Sequence, residues 1–199
     1  MADAFKGRIA IIQGHPDAHA GHFCHALADS YADGARQAGY HVHRVDVARL
    51  DFPLLRTRED WETAPPPESI RGAQAAIAEA THLVILYPLW LGSLPALLKG
   101  FLEQALRPGF AIGTVRGGNR WDKLLGGRSA RIVVTMGMPA FVYRWFFGAH
   151  SLKSLERNIL RFCGIGPIRE TLIGNVEGCG AKARARWLQR LHSLGARGA

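Results

Sequence analysis

Hydrophobic positions along the chain fall into two periods. Short apolar runs without polar alternation occur at Arg8–Gln13 (RIAIIQ), Leu83–Tyr87 (LVILY) and Arg131–Thr135 (RIVVT). That is the pattern of strands buried on both faces. Between them apolar residues recur every three or four positions, as on amphipathic helices. The spacing predicts helices from about His22 to Ala38, Glu68 to Ala80, Leu94 to Leu106, Ser151 to Arg161 and Ala181 to Leu194. Gly39 stops the first helix and Arg107-Pro108-Gly109 stops the third. Two further strands are expected at His41–Val45 and Ile168–Ile173. Asp46–Pro67, rich in proline and charge, reads as an irregular connector. Ala111–Gly127, with Gly117, Gly118, Gly126 and Gly127, reads as a glycine-rich excursion.

Five strands alternating with helices predict an α/β fold, a parallel sheet with helices on both faces. The strand order expected for five such units is 2-1-3-4-5, and the 199 residues suit one domain spanning 1–199. No apolar run reaches the roughly 18–20 residues of a membrane span. The N-terminus, MADAFKG, lacks the apolar core of a signal peptide, so a cytoplasmic location is expected. Cys24, Cys163 and Cys179 are scattered and odd in number, which argues against a disulfide framework or a structural zinc site. A formal charge of +9 raises the question of nucleic acid. The basic residues are dispersed, however, and the densest cluster (AKARARWLQRL) is interrupted by apolar positions. Attraction of phosphate-bearing small ligands explains the charge without a nucleic-acid partner.

In a sheet of this order, ligands bind beyond the carboxyl ends of the strands, where the first and third strands diverge. Three loops should meet there. The first, GHPDAHAGHFCHAL, lacks both the GxGxxG fingerprint and a P-loop GK[ST]. It still opens a helix whose free N–H groups and positive dipole end favour a phosphate, with His15, and His19 or His22, as added donors. A metal site built from His15, His19, His22 and His25 is the rival reading. No acidic or cysteine partner completes a recognisable motif, so no metal is expected. The second loop follows Tyr87. Pro88, Leu89 and Trp90 form a rigid apolar wall suited to a planar ring; the alternative is that Trp90 is core or a dimer contact. The third, TMGMPAFVYRWFFGAH, crowds Phe141, Tyr143, Trp145, Phe146 and Phe147 together, as at a ligand cavity or subunit interface. Tyr143 and His150 are its proton-handling groups.

With these residues assembled, the chain resembles the NAD(P)H:quinone oxidoreductases of the flavodoxin-like fold. The stretch YPLWLGSLPALLKGFLEQALRPGFA, Tyr87–Ala111, carries most of the resemblance, with His15 and NILRFCGI, Asn158–Ile165, in support. The resemblance implies a bound flavin, FAD or FMN, with NAD(P)H as co-substrate and a quinone or similar acceptor. It also implies a homodimer whose subunits share the active site. Isoalloxazine contacts carry over to Pro88, Leu89, Trp90 and Leu91, and to Thr135, Met136 and Gly137. His22-Phe23-Cys24 stands where relatives often carry Ser-Phe-Asn, at the phosphate and adenine contacts. Tyr143 and His150 take the tyrosine and histidine positions that handle charge during reduction, with His150 one residue further along. An alternative within the same family is a regulatory ancillary subunit of a larger partner such as a potassium-efflux system. A one-electron carrier fits poorly, because such carriers are usually acidic.

Overall fold

The computed structural model describes residues 5–113 and 121–199. Five strands, β1 (Arg8–Gln13), β2 (His41–Asp46), β3 (His82–Pro88), β4 (Ser129–Thr135) and β5 (Ile168–Ile173), form one sheet in the order β2-β1-β3-β4-β5. Every neighbouring pair is parallel. The apolar runs are buried on both faces as expected. Ile9 and Ile11 face one core with Val84, Leu86 and Val133, while Ala10 and Ile12 face the other with Leu83, Ile85, Ile132 and Val134. Central strands β1 and β3 are almost entirely inaccessible, whereas the edge strands β2 and β5 show polar, half-exposed positions such as His43, Arg169 and Glu170.

Helices α1 (Phe23–Gln37) and α6 (Ala181–Ala196) cover the first face. They approach so closely that a Cβ on Gly34 would sit 2.0 Å from the His192 carbonyl oxygen, and one on Gly195 would sit 2.0 Å from that of Tyr31. Glycine at both positions is what lets the two backbones touch. The second face is covered by α3 (Glu68–Glu79), α4 (Ala96–Ala105) and a helical segment that begins as α5 (His150–Ser154). That last segment continues through Leu155–Leu160 as a widened π-helical turn, which differs from the single regular helix expected over Ser151–Arg161.

The expected irregular connector Asp46–Pro67 contains more order than its composition suggests. A 3-10 turn covers Val47–Arg49, and α2 (Arg58–Glu62) starts at a capping box. There the Thr57 hydroxyl accepts from the Asp60 N–H at 3.0 Å, and the Asp60 carboxylate accepts from the Thr57 N–H at 3.0 Å. The buried guanidinium of Arg107 then donates to the carbonyls of Asp60, Trp61 and Ala64, tying this short helix to the end of α4. Of the glycine-rich excursion, Gly117 and Gly118 lie outside the described residues. Its described ends meet through the Gly113 N–H, which donates to the Asp122 carbonyl at 2.8 Å.

Candidate functional site

The carboxyl ends of β1, β3, β4 and β5 open onto one cavity of about 270 Å³. Its walls include His15, His22, Phe23, Cys24, Pro88, Leu89, Trp90, Thr135, Met136 and Gly137, joined by Val176 and Glu177 from the loop between β5 and α6. Every expected cofactor-contact residue except Leu91 therefore meets at one place.

The first wall is the loop from β1 to α1. Gln13, buried at the strand end, organises it: its amide donates to the Cys24 carbonyl at 3.0 Å, and its oxygen accepts from the His15 N–H at 3.1 Å. The Cys24 thiol also donates to that oxygen at 3.4 Å. Burial pushes this thiol up to about 12, so it stays protonated and acts as a small wall residue rather than a nucleophile. His22 caps α1 without a side-chain hydrogen bond to the helix. The N–H groups of Phe23 and Cys24 consequently find no acceptor among the described residues.

The second wall ends β3. Pro88 pairs with Thr135 at the last rung of the sheet, and the Leu89 N–H donates to the Thr135 carbonyl at 2.7 Å. Strand β1 has already ended at Gln13, opposite Leu86, so the missing N–H of Pro88 falls where no neighbour needs it. Trp90 and Ser93 then exchange two backbone hydrogen bonds at 2.9 Å around Leu91-Gly92. Both central residues have positive φ, 46° and 74°, as a tight two-residue turn with a right-handed strand twist demands. Glycine adopts this readily; Leu91 does so at a cost, and its side chain is fully exposed. Leu91, expected to contact the ring of a cofactor, is not among the residues lining the cavity in the single chain.

The third wall begins at Thr135-Met136-Gly137. A Cβ on Gly137 would lie 3.3 Å from a Glu177 carboxylate oxygen, so the bare glycine keeps the cavity open beside that acid. Further along, Phe141, Trp145, Phe146 and Phe147 are exposed, but Tyr143 turns inward and is buried. Its hydroxyl lies 2.7 Å from the Ser151 Oγ and accepts from the Leu152 N–H at 3.2 Å, which caps the start of α5. The ring of His150 is exposed and lies over Gly148. Neither side chain lines the cavity in the single chain. Gln13, Val176 and Glu177 are the wall and support residues that sequence reasoning missed. Only their place at the ends of β1 and β5 could have pointed to them.

His15, at 7% exposure, is held below the ordinary histidine range, chiefly by burial and then by the neighbouring His22. It is thus a neutral donor and acceptor at neutral pH. Among the described residues, no group of three or more His, Cys, Asp or Glu side chains is arranged to hold a metal ion. Nor, among them, is any helix long and apolar enough to cross a membrane. The wall fits a phosphorylated planar ligand. It brings apolar lining (Pro88, Leu89, Trp90) together with unpartnered backbone N–H groups and imidazoles, the His15 ring lying edge-on to Trp90 at 6.2 Å between centroids.

Comparison with known proteins bears on the fold and the family. An "uncharacterized NAD(P)H oxidoreductase" of Haemophilus influenzae is 28% identical over 183 residues, 90% of this chain and 89% of its own length. The solved NAD(P)H:quinone oxidoreductase from Methanothermobacter marburgensis superposes with a TM-score of 0.77 at 21% identity, covering 96% of this chain and 98% of that one. An FMN-dependent NADH-azoreductase from Bacillus anthracis, solved in complex with FMN, superposes with a TM-score of 0.75 at 13% identity, covering 96% and 98%. At those identities the two structures speak for the fold. The sequence pattern described as "flavodoxin-like fold" matches residues 7–194, nearly the whole chain, and the protein belongs to that family.

Proposed function

We propose that the cavity binds a flavin, FMN or FAD, and that the protein is an NAD(P)H dehydrogenase reducing a quinone or a similar acceptor by two electrons. The observation that carries this reading is the convergence of four strand ends on one cavity. That cavity is lined by a proline-leucine-tryptophan stretch and by a helix start whose first N–H groups are unpartnered among the described residues. The names of the Haemophilus, Methanothermobacter and Bacillus proteins support it. A bound flavin would supply the redox chemistry, NAD(P)H plus a proton and a quinone giving NAD(P)⁺ and the hydroquinone.

The chain's own residues supply position and exclusion. Pro88, Leu89 and Trp90 would support the ring, with Thr135, Met136 and Gly137 beside it; all six line the cavity. His15, His22, Phe23 and Cys24 receive the phosphate-bearing side. Tyr143 and His150 are proposed to handle charge on the reduced ring and acceptor. They would do so in a homodimer, for which the outward Leu91 and the exposed Phe141, Trp145, Phe146 and Phe147 offer an apolar contact. The protein is expected to act in the cytoplasm, as one domain without a nucleic-acid partner. A second reading, an ancillary subunit of a potassium-efflux system, draws on the same exposed aromatics as a docking surface.

The deciding test is anaerobic titration of purified protein reconstituted with FMN or FAD. Bleaching near 450 nm on addition of NADH or NADPH, reversed by a quinone, is the expected result (the wavelength is the ordinary flavin band, about 450 nm). Protein that retains neither flavin would overturn the proposal. Flavin binding without turnover would favour the ancillary reading.

A further inference from the structure

Asp17 and four histidines beside the cavity form a network whose hydrogen positions are dictated by the aspartate. Asp17 makes four contacts. Its backbone N–H donates to His15 Nδ1 at 3.1 Å, its carbonyl oxygen lies 2.9 Å from His25 Nε2, one carboxylate oxygen lies 2.7 Å from His22 Nε2, and the other accepts from the His19 N–H at 2.9 Å.

These contacts decide the tautomers. A backbone N–H cannot shed its hydrogen, so His15 Nδ1 must be bare and its proton sits on Nε2, even though the Asp17 carbonyl lies 3.2 Å from Nδ1. A carbonyl can only accept, so His25 donates from Nε2. Its Nδ1 is left to face the Arg44 guanidinium, a pure donor, at 3.5 Å, and the two constraints agree. His22 turns Nε2 toward a carboxylate, which leaves Nδ1 as its free corner. The rings of His15 and His22 stack at 4.0 Å and 22°, side by side at the cavity wall. His15 is 7% exposed as a residue, and its Nε2 has no partner among the described residues.

We propose that Asp17 is a positioning residue that orients His15 and His22 to present N–H donors to the phosphate of a bound flavin nucleotide. This rests on the reading of the cavity as a flavin site. His15 gives its Nε2–H as a neutral donor. His22 gives its Nδ1–H in the charged form of the ring, with the Asp17 carboxylate facing that charge at Nε2. The other titratable or charged groups around the pair are His19 on the same loop, His25 on α1, Arg44 of β2 behind His25, Arg49 against the Ala18 carbonyl, and Glu177 on the cavity wall. Glu177 opposes an anion, so the imidazoles must outweigh it. That makes phosphate binding stronger as pH falls.

The test is equilibrium binding of riboflavin, FMN and FAD between pH 5.5 and 8.5 (a range spanning the ordinary histidine titration, about 6.5), read by quenching of flavin fluorescence. Riboflavin lacks the phosphate, and FAD separates a terminal phosphate from a diphosphate. Wild-type protein should prefer FMN or FAD over riboflavin about tenfold or more, increasingly so at low pH. Asp17→Asn should lose about tenfold in nucleotide affinity and most of its pH dependence, with riboflavin unchanged; Asp17→Glu should restore both. His22→Gln should reproduce the loss should Asp17→Asn disturb the loop. Unchanged nucleotide affinity in Asp17→Asn, or equal loss for riboflavin and nucleotide in both variants, overturns the role of Asp17 while leaving the flavin reading standing. Wild-type protein that binds none of the three flavins overturns both.

Discussion

His82 offers a stability test that does not depend on any ligand. It opens β3 at the amino end of the sheet, far from the cavity, and is only 6% exposed. Its Nδ1 lies 2.8 Å from the Ser129 Oγ, and its Nε2 is buried without a partner. Burial, followed by the charges of Arg131 and Arg169, lowers it from 6.5 to about 4. Between those values the unfolded chain holds a proton that the native chain refuses, so stability rises with pH across that window and is lost as pH falls. At about 1.4 kcal/mol per unit, lowering the pH from 7 to 5 removes about 2 kcal/mol through this one ring. His82→Asn keeps a polar atom near the Nδ1 position for Ser129 and abolishes the titration. Urea denaturation of both proteins at pH 7 and pH 5 isolates the term, because carboxylates and other histidines titrate in each. The variant should lose about 2 kcal/mol less than wild type over that interval. Equal losses in the two proteins would refute the claim that the ring is held neutral by burial.

Three further outcomes are expected. Gly195→Ala places a methyl group against the Tyr31 carbonyl and should destabilise the fold by about 3 kcal/mol or more, seen as a large fall in urea midpoint; a fall under about 0.5 kcal/mol would mean α1 and α6 can part freely. Leu91→Gly relieves a positive-φ leucine and should raise the stability of the ligand-free chain by about 1 kcal/mol, while weakening any self-association seen by sedimentation. Cys24 and Cys163 are pushed by burial to about 12 and about 11, so iodoacetamide on native protein at about pH 8 should label the half-buried Cys179 alone. Mass spectrometry showing rapid labelling of Cys24 would contradict its place in the wall.

The sheet was legible because β1, β3 and β4 are buried on both faces, which leaves uninterrupted apolar runs. The strand order then locates the cavity, and the residues at or just past the end of each run (His15, Pro88, Thr135) fall at its wall without further information. Side-chain direction was less accessible. Tyr143 is a polar aromatic in an aromatic-rich segment, and nothing local shows that its hydroxyl turns inward to Ser151 while its neighbours Trp145 and Phe146 turn outward. Leu91 reads as part of the ring-contact stretch, and nothing in the linear pattern shows that it sits fully exposed in a two-residue turn. Asp17 and Glu177 matter through what stands opposite them, and a linear pattern carries no such information. The short helix α2 was missed because its Thr57–Asp60 box sits among prolines and charges that dominate the composition.

The charged and half-exposed residues on β2 and β5 bear on assembly. A strand edge ready to accept another strand offers a flat, apolar row of unpaired backbone groups; here Arg44 on one border and Arg169 and Glu170 on the other interrupt that row. Growth of the sheet into a continuous ten-stranded ribbon is therefore disfavoured at both borders.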